Sequence, residues 1–426
     1  MSNIKTKSFI LGAGVSLAVL GAAVAWGEAR PDAPVNPAPM AADTAPMGAP
    51  YSFAPIVQKV SPAVVSIDIV GHASPSEVAE MQQQQQGQDQ GQGQGQGQGF
   101  GFFFGFPGSP GAPGMGQQAP RSGEGQPLPK IRASGSGFFI SPTGYIVTNN
   151  HVVEDAQQIT VHMADGRTLK ARLVGRDPAT DIAVIKVDGG SFPFVSFEDT
   201  AKPRVGDWVV AVGNPFGLGG TATAGIVSAL GRENVADSPL VDYMQIDAPI
   251  NRGNSGGPTF DAYGRVVGVN TAIYSPSGGS VGIGFDIPAA TVSSTANQLI
   301  EYGHVSHGYL GATIQQITPD LSESLGMKTT NGAIVDQLSP DGPAARAGLR
   351  AGDVIVSING QTVKSPTELT RQVAFSHPGD TLRLDVLRNG QPVQITAHAG
   401  LRPSQPTLAR MEQPQGGDQG DGGDGE

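Results

Sequence analysis

Gly253-Asn254-Ser255-Gly256-Gly257 places a serine hydroxyl inside a run of residues that leave the backbone bare. Glycine turns a loop where a Cβ would clash. The N–H groups so exposed are what attack of a hydroxyl on an amide carbonyl requires, because donors already aimed at the developing oxyanion stabilise it without reorganising. A serine stays a weak nucleophile until a base takes its proton, and the base in turn is held by a third group. Upstream the chain supplies His151, in Thr148-Asn149-Asn150-His151-Val152-Val153, and two candidate carboxylates, Asp177 and Asp181. Asp177 precedes Pro178 and suits a turn. Asp181 leads directly into the apolar run Ile182 to Val187, where a carboxylate can be held buried against an imidazole, and is the preferred partner.

The order His, Asp, Ser is the one found on chymotrypsin-like double barrels rather than on subtilisins or α/β-hydrolases. Short apolar runs joined by tight turns fit such barrels. Gly137 to Ile140 and Tyr145 to Thr148 flank a Ser-Pro-Thr-Gly turn, and Ile159 to Met163 and Thr168 to Val174 flank Asp165-Gly166, so both read as hairpins. Further strands are expected at Ala63 to Val70, Trp208 to Gly213, Met244 to Ile246 and Val266 to Asn270. Ala289 to Tyr302 is the first convincing helix and would close the catalytic unit. The fold class expected is mainly β: a chymotrypsin-like double β-barrel over residues 51–300, then one smaller α+β domain over residues 305–401.

Bulk composition narrows the rest. With 426 residues and 38% hydrophobic content the chain can build two or three cores, yet 61 glycines and 34 prolines imply segments without one. A net charge of −11 argues against nucleic acid as the main partner. With no cysteine, a thiol nucleophile, a disulfide framework and a thiolate metal site are all excluded. Lys5 and Lys7 followed by the apolar run Phe9 to Trp26 read as an export signal, long enough to serve alternatively as a membrane anchor. Residues 27–50 read as a Pro/Ala-rich tether. Residues 72–131 hold Gln runs, Gly-Gln repeats and the aromatic cluster Phe100, Phe102, Phe103, Phe104 and Phe106, and read as a low-complexity insertion. Residues 402–426 read as a disordered acidic tail.

Gly308-Tyr309-Leu310-Gly311-Ala312, Gly332-Ala333-Ile334-Val335, Gly352-Asp353-Val354-Ile355 and Ile358-Asn359-Gly360 together resemble a PDZ domain. With Thr148 to Val153, Asp181 to Ala183, Gly213-Asn214-Pro215-Phe216-Gly217, Asp247 to Gly257 and Gly282-Ile283-Gly284-Phe285, they resemble the HtrA family of periplasmic serine proteases, the DegP and DegQ group. The resemblance implies Ser255 as nucleophile, His151 as general base and acid, Asp181 as the group that orients the imidazole, and the N–H groups of Gly253 and Ser255 as an oxyanion hole. It makes Ile250 and Ile273 walls of a pocket for small aliphatic side chains, and Arg232 a sensor-loop residue that reports to the loop at Asn251 and Arg252 and to the loop from Tyr274 to Val281. It makes Tyr51 and Phe53 contacts of a homotrimer, or of multiples of it.

Tyr309, Leu310, Gly311 and Ala312 would be the loop that receives a peptide's terminal carboxylate while the peptide adds to a sheet edge. Relatives commonly carry a basic residue just before this loop; here stand His304 and His307, so protonated His307 is expected to assist peptide binding at acid pH. A His-x-x-His metal site is disfavoured because no third ligand is evident, and no cofactor is called for. The Gly-Gln repeats lack the Lys and Ser/Thr of a phosphate loop, so ATP coupling is not expected. The function expected is degradation of unfolded or damaged exported proteins; a holdase chaperone and a signalling protease that selects one partner by its C-terminus are the alternatives.

Overall fold

Val65, Ile67 and Ile69 recur at every second position of the first strand and all three are buried, the period of a strand with one face in a core. The computed structural model describes residues 52–72, 130–198, 202–214, 220–233, 235–236, 238, 240–276, 278–403 and 407–408. The export segment, the tether with Tyr51, nearly all of the insertion and most of the acidic tail lie outside the described residues.

Six strands, β1 (Val64–His72), β2 (Lys130–Phe139), β3 (Tyr145–Asn149), β4 (Ala156–His162), β5 (Thr168–Asp177) and β6 (Ile182–Val187), close into a barrel in the order β1-β2-β3-β6-β5-β4. β1 and β2 stay in register from Val64 opposite Phe138 to His72 opposite Lys130, so the chain leaves for the insertion and returns at one pair of facing residues. Adjacent residues of β2 serve different cores: Phe139 points into this barrel and stacks on Phe192 at 4.7 Å, whereas Phe138 points outward and meets Phe197.

A second barrel, ordered β10-β11-β12-β9-β8-β7, is built from β7 (Trp208–Gly213), β8 (Thr221–Arg232), β9 (Tyr243–Ile246), β10 (Pro258–Phe260), β11 (Val266–Ile273) and β12 (Gly284–Pro288). Val209, Ala211, Val227, Met244 and Ile246 fill it. The alternate residues Val210 and Val212 join Phe138, Val147, Ile182 and Val184 of the first barrel in one shared core. Two closed barrels leave no sheet edge to pair with strangers, and the core between them fixes their relative position.

Helix α1 (Ala54–Val60) precedes β1; with seven residues it carries too little periodicity to be read from sequence. A single turn, α2 (Asn150–Val153), follows β3. The expected helix is present as α3 (Ala289–Tyr302), which buries Ala289, Val292, Ala296 and Leu299, one face at 3.6-residue spacing. It ends at left-handed Gly303 (φ 76°), whose N–H caps the Leu299 carbonyl. Each such buried Val or Leu contributes about 1.5–3 kcal/mol. The end of α3 rests so tightly on β5 that a Cβ at Gly175 would lie 2.4 Å from the Gly303 oxygen.

Beyond α3, β13 (Gly308–Tyr309) pairs with β20 (Gly400–Leu401). A second sheet runs β14-β15-β16-β18-β19, built from β14 (Ala312–Gln316), β15 (Ala333–Leu338), β16 (Val354–Ile358), β18 (Thr381–Arg388) and β19 (Gln391–His398), with β17 (Gln361–Thr362) paired to β16. Short helices α4 (Pro319–Ser324) and α5 (Pro343–Arg346) and the longer α6 (Pro366–Ala374) complete this PDZ-like unit. Ser365 caps α6 by accepting from the Glu368 N–H at 3.1 Å, while the Glu368 carboxylate accepts from the Lys364 N–H at 2.8 Å. β14 is the end strand of its sheet, which leaves one edge for an incoming strand.

Candidate active site

β3 delivers the chain into α2, and that single turn presents His151. Asp181 stands just before β6 with φ 55°, a left-handed conformation that Asp and Asn tolerate better than other side chains. That turn aims both carboxylate oxygens at one residue: Oδ2 lies 2.8 Å from His151 Nδ1 and Oδ1 accepts the His151 backbone N–H at 3.0 Å. The Asp181 carbonyl is itself fixed, accepting from Asn150 N–H at 3.0 Å and from Asn149 Nδ2 at 3.0 Å. Burial works against charge on His151, but the attraction and hydrogen bond of Asp181, with Glu154 adding, outweigh it and raise its pKa above the ordinary histidine value. A carboxylate facing Nδ1 favours the tautomer in which Nδ1 carries the proton and Nε2 is the acceptor.

Asp177 is differently employed. Its carboxylate accepts from the Thr180 hydroxyl at 2.6 Å and faces His307, with Nε2 at 3.0 and 3.1 Å from its two oxygens. His307 Nδ1 lies 3.2 Å from the Ala374 carbonyl. Both ring nitrogens therefore lie within hydrogen-bond reach of an oxygen, which fixes the ring between β5 and the end of α6. His307 is buried in this contact between the PDZ-like unit and β5, which departs from the expectation that it serves the carboxylate loop: an acidic partner stood closer than any peptide. Removing one side of such a pair leaves a buried polar group without its partner. Asp177→Ala is thus expected to cost about 1–3 kcal/mol in urea unfolding, and Asp177→Ala/His307→Leu markedly less.

Ser255 sits in the loop between β9 and β10, a loop stitched to the other barrel. Its carbonyl accepts the Ser136 N–H at 2.8 Å, and the Ser136 hydroxyl donates to the Gly253 carbonyl at 2.6 Å while accepting the Asn214 N–H at 2.8 Å. Asn270 holds the other side: its carbonyl accepts the Gly256 N–H at 2.8 Å, and its own N–H and Nδ2 donate to the Gly257 carbonyl at 2.9 and 3.0 Å. Gly256 has φ 83°, and a Cβ there would lie 2.3 Å from the Ser136 oxygen, so no other residue fits. The N–H groups of Asn254, Gly256 and Gly257 all donate to backbone carbonyls; those of Gly253 and Ser255 have no backbone acceptor among the described residues. The Ser255 hydroxyl lies 3.4 Å from the Thr271 carbonyl. Base and carboxylate thus come from the first barrel and the hydroxyl from the second.

Ile250 is buried beside half-buried Ile273 in the second barrel's core, and a Cβ on Gly284 would come within 3.0 Å of Ile250 Cδ1. Asn251 Oδ1 accepts the Ser280 N–H at 3.0 Å, which ties the loop before the serine to the loop from Tyr274 to Val281. Arg232, exposed at the end of β8, donates from Nε to Gln245 Oε1 at 2.9 Å. Phe53 packs its ring 5.7 Å from that of Trp208, itself partly exposed. In the loop from Tyr309 to Ala312, Gly311 has φ 75°, and the Leu310 and Gly311 carbonyls accept from Ala344 and Ser339 at 2.8 and 2.9 Å, drawing them toward α5 and the end of β15. Ser136, Asn149 and Asn270 escape notice in the sequence, although each is a polar residue within an apolar strand and buried, a signal of support for a site.

Residues 135–269 match the trypsin-like peptidase domain family, and residues 308–398 the PDZ domain family. A probable periplasmic serine endoprotease DegP-like of Rhizobium meliloti (strain 1021) is 47% identical over 361 residues, covering 83% of this chain and 70% of the relative. The Brucella suis biovar 1 (strain 1330) protein of the same description is 52% identical over 287 residues, 67% of this chain and 55% of the relative. Among solved structures, the HtrA-type protease AlgW with decapeptide is 39% identical with a TM-score of 0.63, covering 83% of this chain and 99% of that one. The fold, the pairing of the two domain types and these identities agree, and the chain belongs to the family of DegP-like, HtrA-type periplasmic serine endoproteases.

Proposed function

We propose that Ser255 attacks the scissile carbonyl of unfolded or damaged exported polypeptides, with His151 taking and then returning the proton and Asp181 holding the imidazole. The observation that carries this reading is the bidentate grip of Asp181 on His151, from the barrel against which the glycine-wrapped Ser255 loop is pinned. Asp181 stabilises the imidazolium that forms when the hydroxyl loses its proton. The N–H groups of Gly253 and Ser255 receive the oxyanion. Collapse of that intermediate expels the amine, which takes the proton from His151, and water then repeats the sequence on the acyl-enzyme.

Ile250, Ile273 and Gly284 favour a small branched side chain before the cut, by roughly 1–3 kcal/mol for each methylene misfit. Peptides carry their C-termini to the Tyr309–Ala312 loop and add a strand to the free edge of β14; AlgW, the relative solved with a decapeptide, supports such binding. Arg232 and the loops at Asn251 and Ser280 relay that binding to the active site as a population shift. The Phe53–Trp208 pair, with Trp208 and Tyr263 exposed, supports assembly as a homotrimer.

The test is casein hydrolysis by wild type and Ser255→Ala, with and without a peptide ending in hydrophobic residues. Stimulation of wild type at micromolar peptide, lost on deleting residues 305–401, is the expected result. Peptide-independent rates identical in both forms would overturn the role given to the PDZ-like unit.

A further inference from the structure

Asp286 lies fully buried on β12, and neither of its carboxyl oxygens has a hydrogen-bond partner. Nothing in the catalytic scheme uses it. It is flanked in register by Asn270 on β11 and Met244 on β9, and it packs against Gly268, where a Cβ would lie 2.9 Å from its own. It stands two residues along the strand from Gly284, which makes room for Ile250. The polar group beside it is the Thr259 hydroxyl of β10.

That hydroxyl has one hydrogen to give. It donates to Asn270 Oδ1 at 2.9 Å and so fixes which way the Asn270 amide faces. The same amide, through Nδ2, grips the Gly257 carbonyl at 3.0 Å, two residues past Ser255. A neutral Asp286 leaves the Thr259 hydrogen to Asn270. An ionised Asp286 becomes the stronger acceptor and competes for it, which strips Asn270 Oδ1 of its donor.

We propose that Asp286 is a positioning residue for the nucleophile loop, acting through Thr259 and Asn270, so that its ionisation slackens the grip on Gly257 and lowers turnover at Ser255. The proposal rests on Ser255 being the nucleophile. Burial pushes the Asp286 carboxyl up to about 7, so the change falls within reach of a pH profile taken around neutrality. The side chains facing it are uncharged: Met244 from β9, Thr259 from β10, and Gly268 and Asn270 from β11. Tyr243, the titratable neighbour of Met244, turns to the opposite face against Phe285.

The experiment measures kcat and KM on a peptide substrate from pH 5.5 to 9 for full-length wild type, Asp286→Asn and Thr259→Val. It is joined by the NMR titration of the Asn270 side-chain amide, which needs no turnover. Because the rise set by His151 overlaps this range, the readout is the wild-type kcat divided by that of Asp286→Asn, which is expected to fall at least threefold through a midpoint near 7, with KM within about twofold, and the Asn270 amide to shift with the same midpoint. Thr259→Val, each profile scaled to its own maximum, should match Asp286→Asn rather than wild type, and in both variants the amide shift should vanish. Identical scaled profiles in wild type and Asp286→Asn, or an Asn270 amide that does not respond to pH, would overturn the proposal. If the amide titrates as expected but Ser255→Ala still hydrolyses the peptide, it is the assignment of the nucleophile that fails.

Discussion

Ser255→Ala is expected to lower casein hydrolysis by on the order of 10⁵-fold or more, with the unfolding midpoint nearly unchanged. The substitution removes the oxygen proposed to carry the acyl group. What remains is the oxyanion donors and substrate binding, which in other triads leave a rate only about 10³–10⁴-fold above water. Stability should hold because the bonds that fix the loop come from its backbone: the Ser255 carbonyl to Ser136, Gly256 to Asn270 and the Gly257 carbonyl to Asn270. The same variant separates the leading reading from a holdase. A protein that still suppresses aggregation of a denatured client without cleaving it has a second activity; one that does neither is a protease alone.

Asp181→Asn should cost about 10⁴-fold in kcat while leaving the backbone in place. Position 181 has φ 55°, and asparagine is among the few side chains that adopt this conformation readily. The variant therefore removes the charge and one acceptor oxygen, which turns an amide N–H toward His151 Nδ1, without straining the backbone. Wild-type His151 has its pKa raised because Asp181 outweighs burial; with an uncharged amide, burial persists and the attraction goes, so the pKa drops. Two consequences follow from the sign. The acid limb of kcat/KM, which in wild type lies above the usual histidine range, should move to lower pH. A histidine with a raised pKa also adds stability at low pH that is lost as pH rises through that pKa, so the wild-type advantage over Asp181→Asn in thermal unfolding should shrink toward pH 8. An acid limb at the same pH in both proteins would exclude Asp181 as the orienting group.

The double barrel and the pairing of His151 with Asp181 are legible in the sequence for a plain reason. Glycines around Ser255 and short apolar strands with Gly turns are local signals, and each survives without knowledge of its neighbours. The choice of Asp181 over Asp177 could be argued from the residues that follow it. What is not legible depends on partners far along the chain. Phe138 and Phe139 look alike in sequence, yet one fills a barrel and the other the seam between barrels. His307 reads as a companion of the carboxylate loop because that loop is adjacent; the acid it meets lies 130 positions upstream. Asp286 falls in a strand where alternation cannot tell a solvated face from a sealed one, since two closed barrels in contact bury both.

The insertion begins and ends on facing residues, His72 and Lys130, whose strands are already zipped from Val64 onward. Its two ends are therefore held together whatever lies between, and doubling its length would add only about 0.6 kcal/mol of closure entropy. A change in the length of chain between His72 and Lys130 therefore carries a small entropic cost and leaves Gly137 opposite Val65.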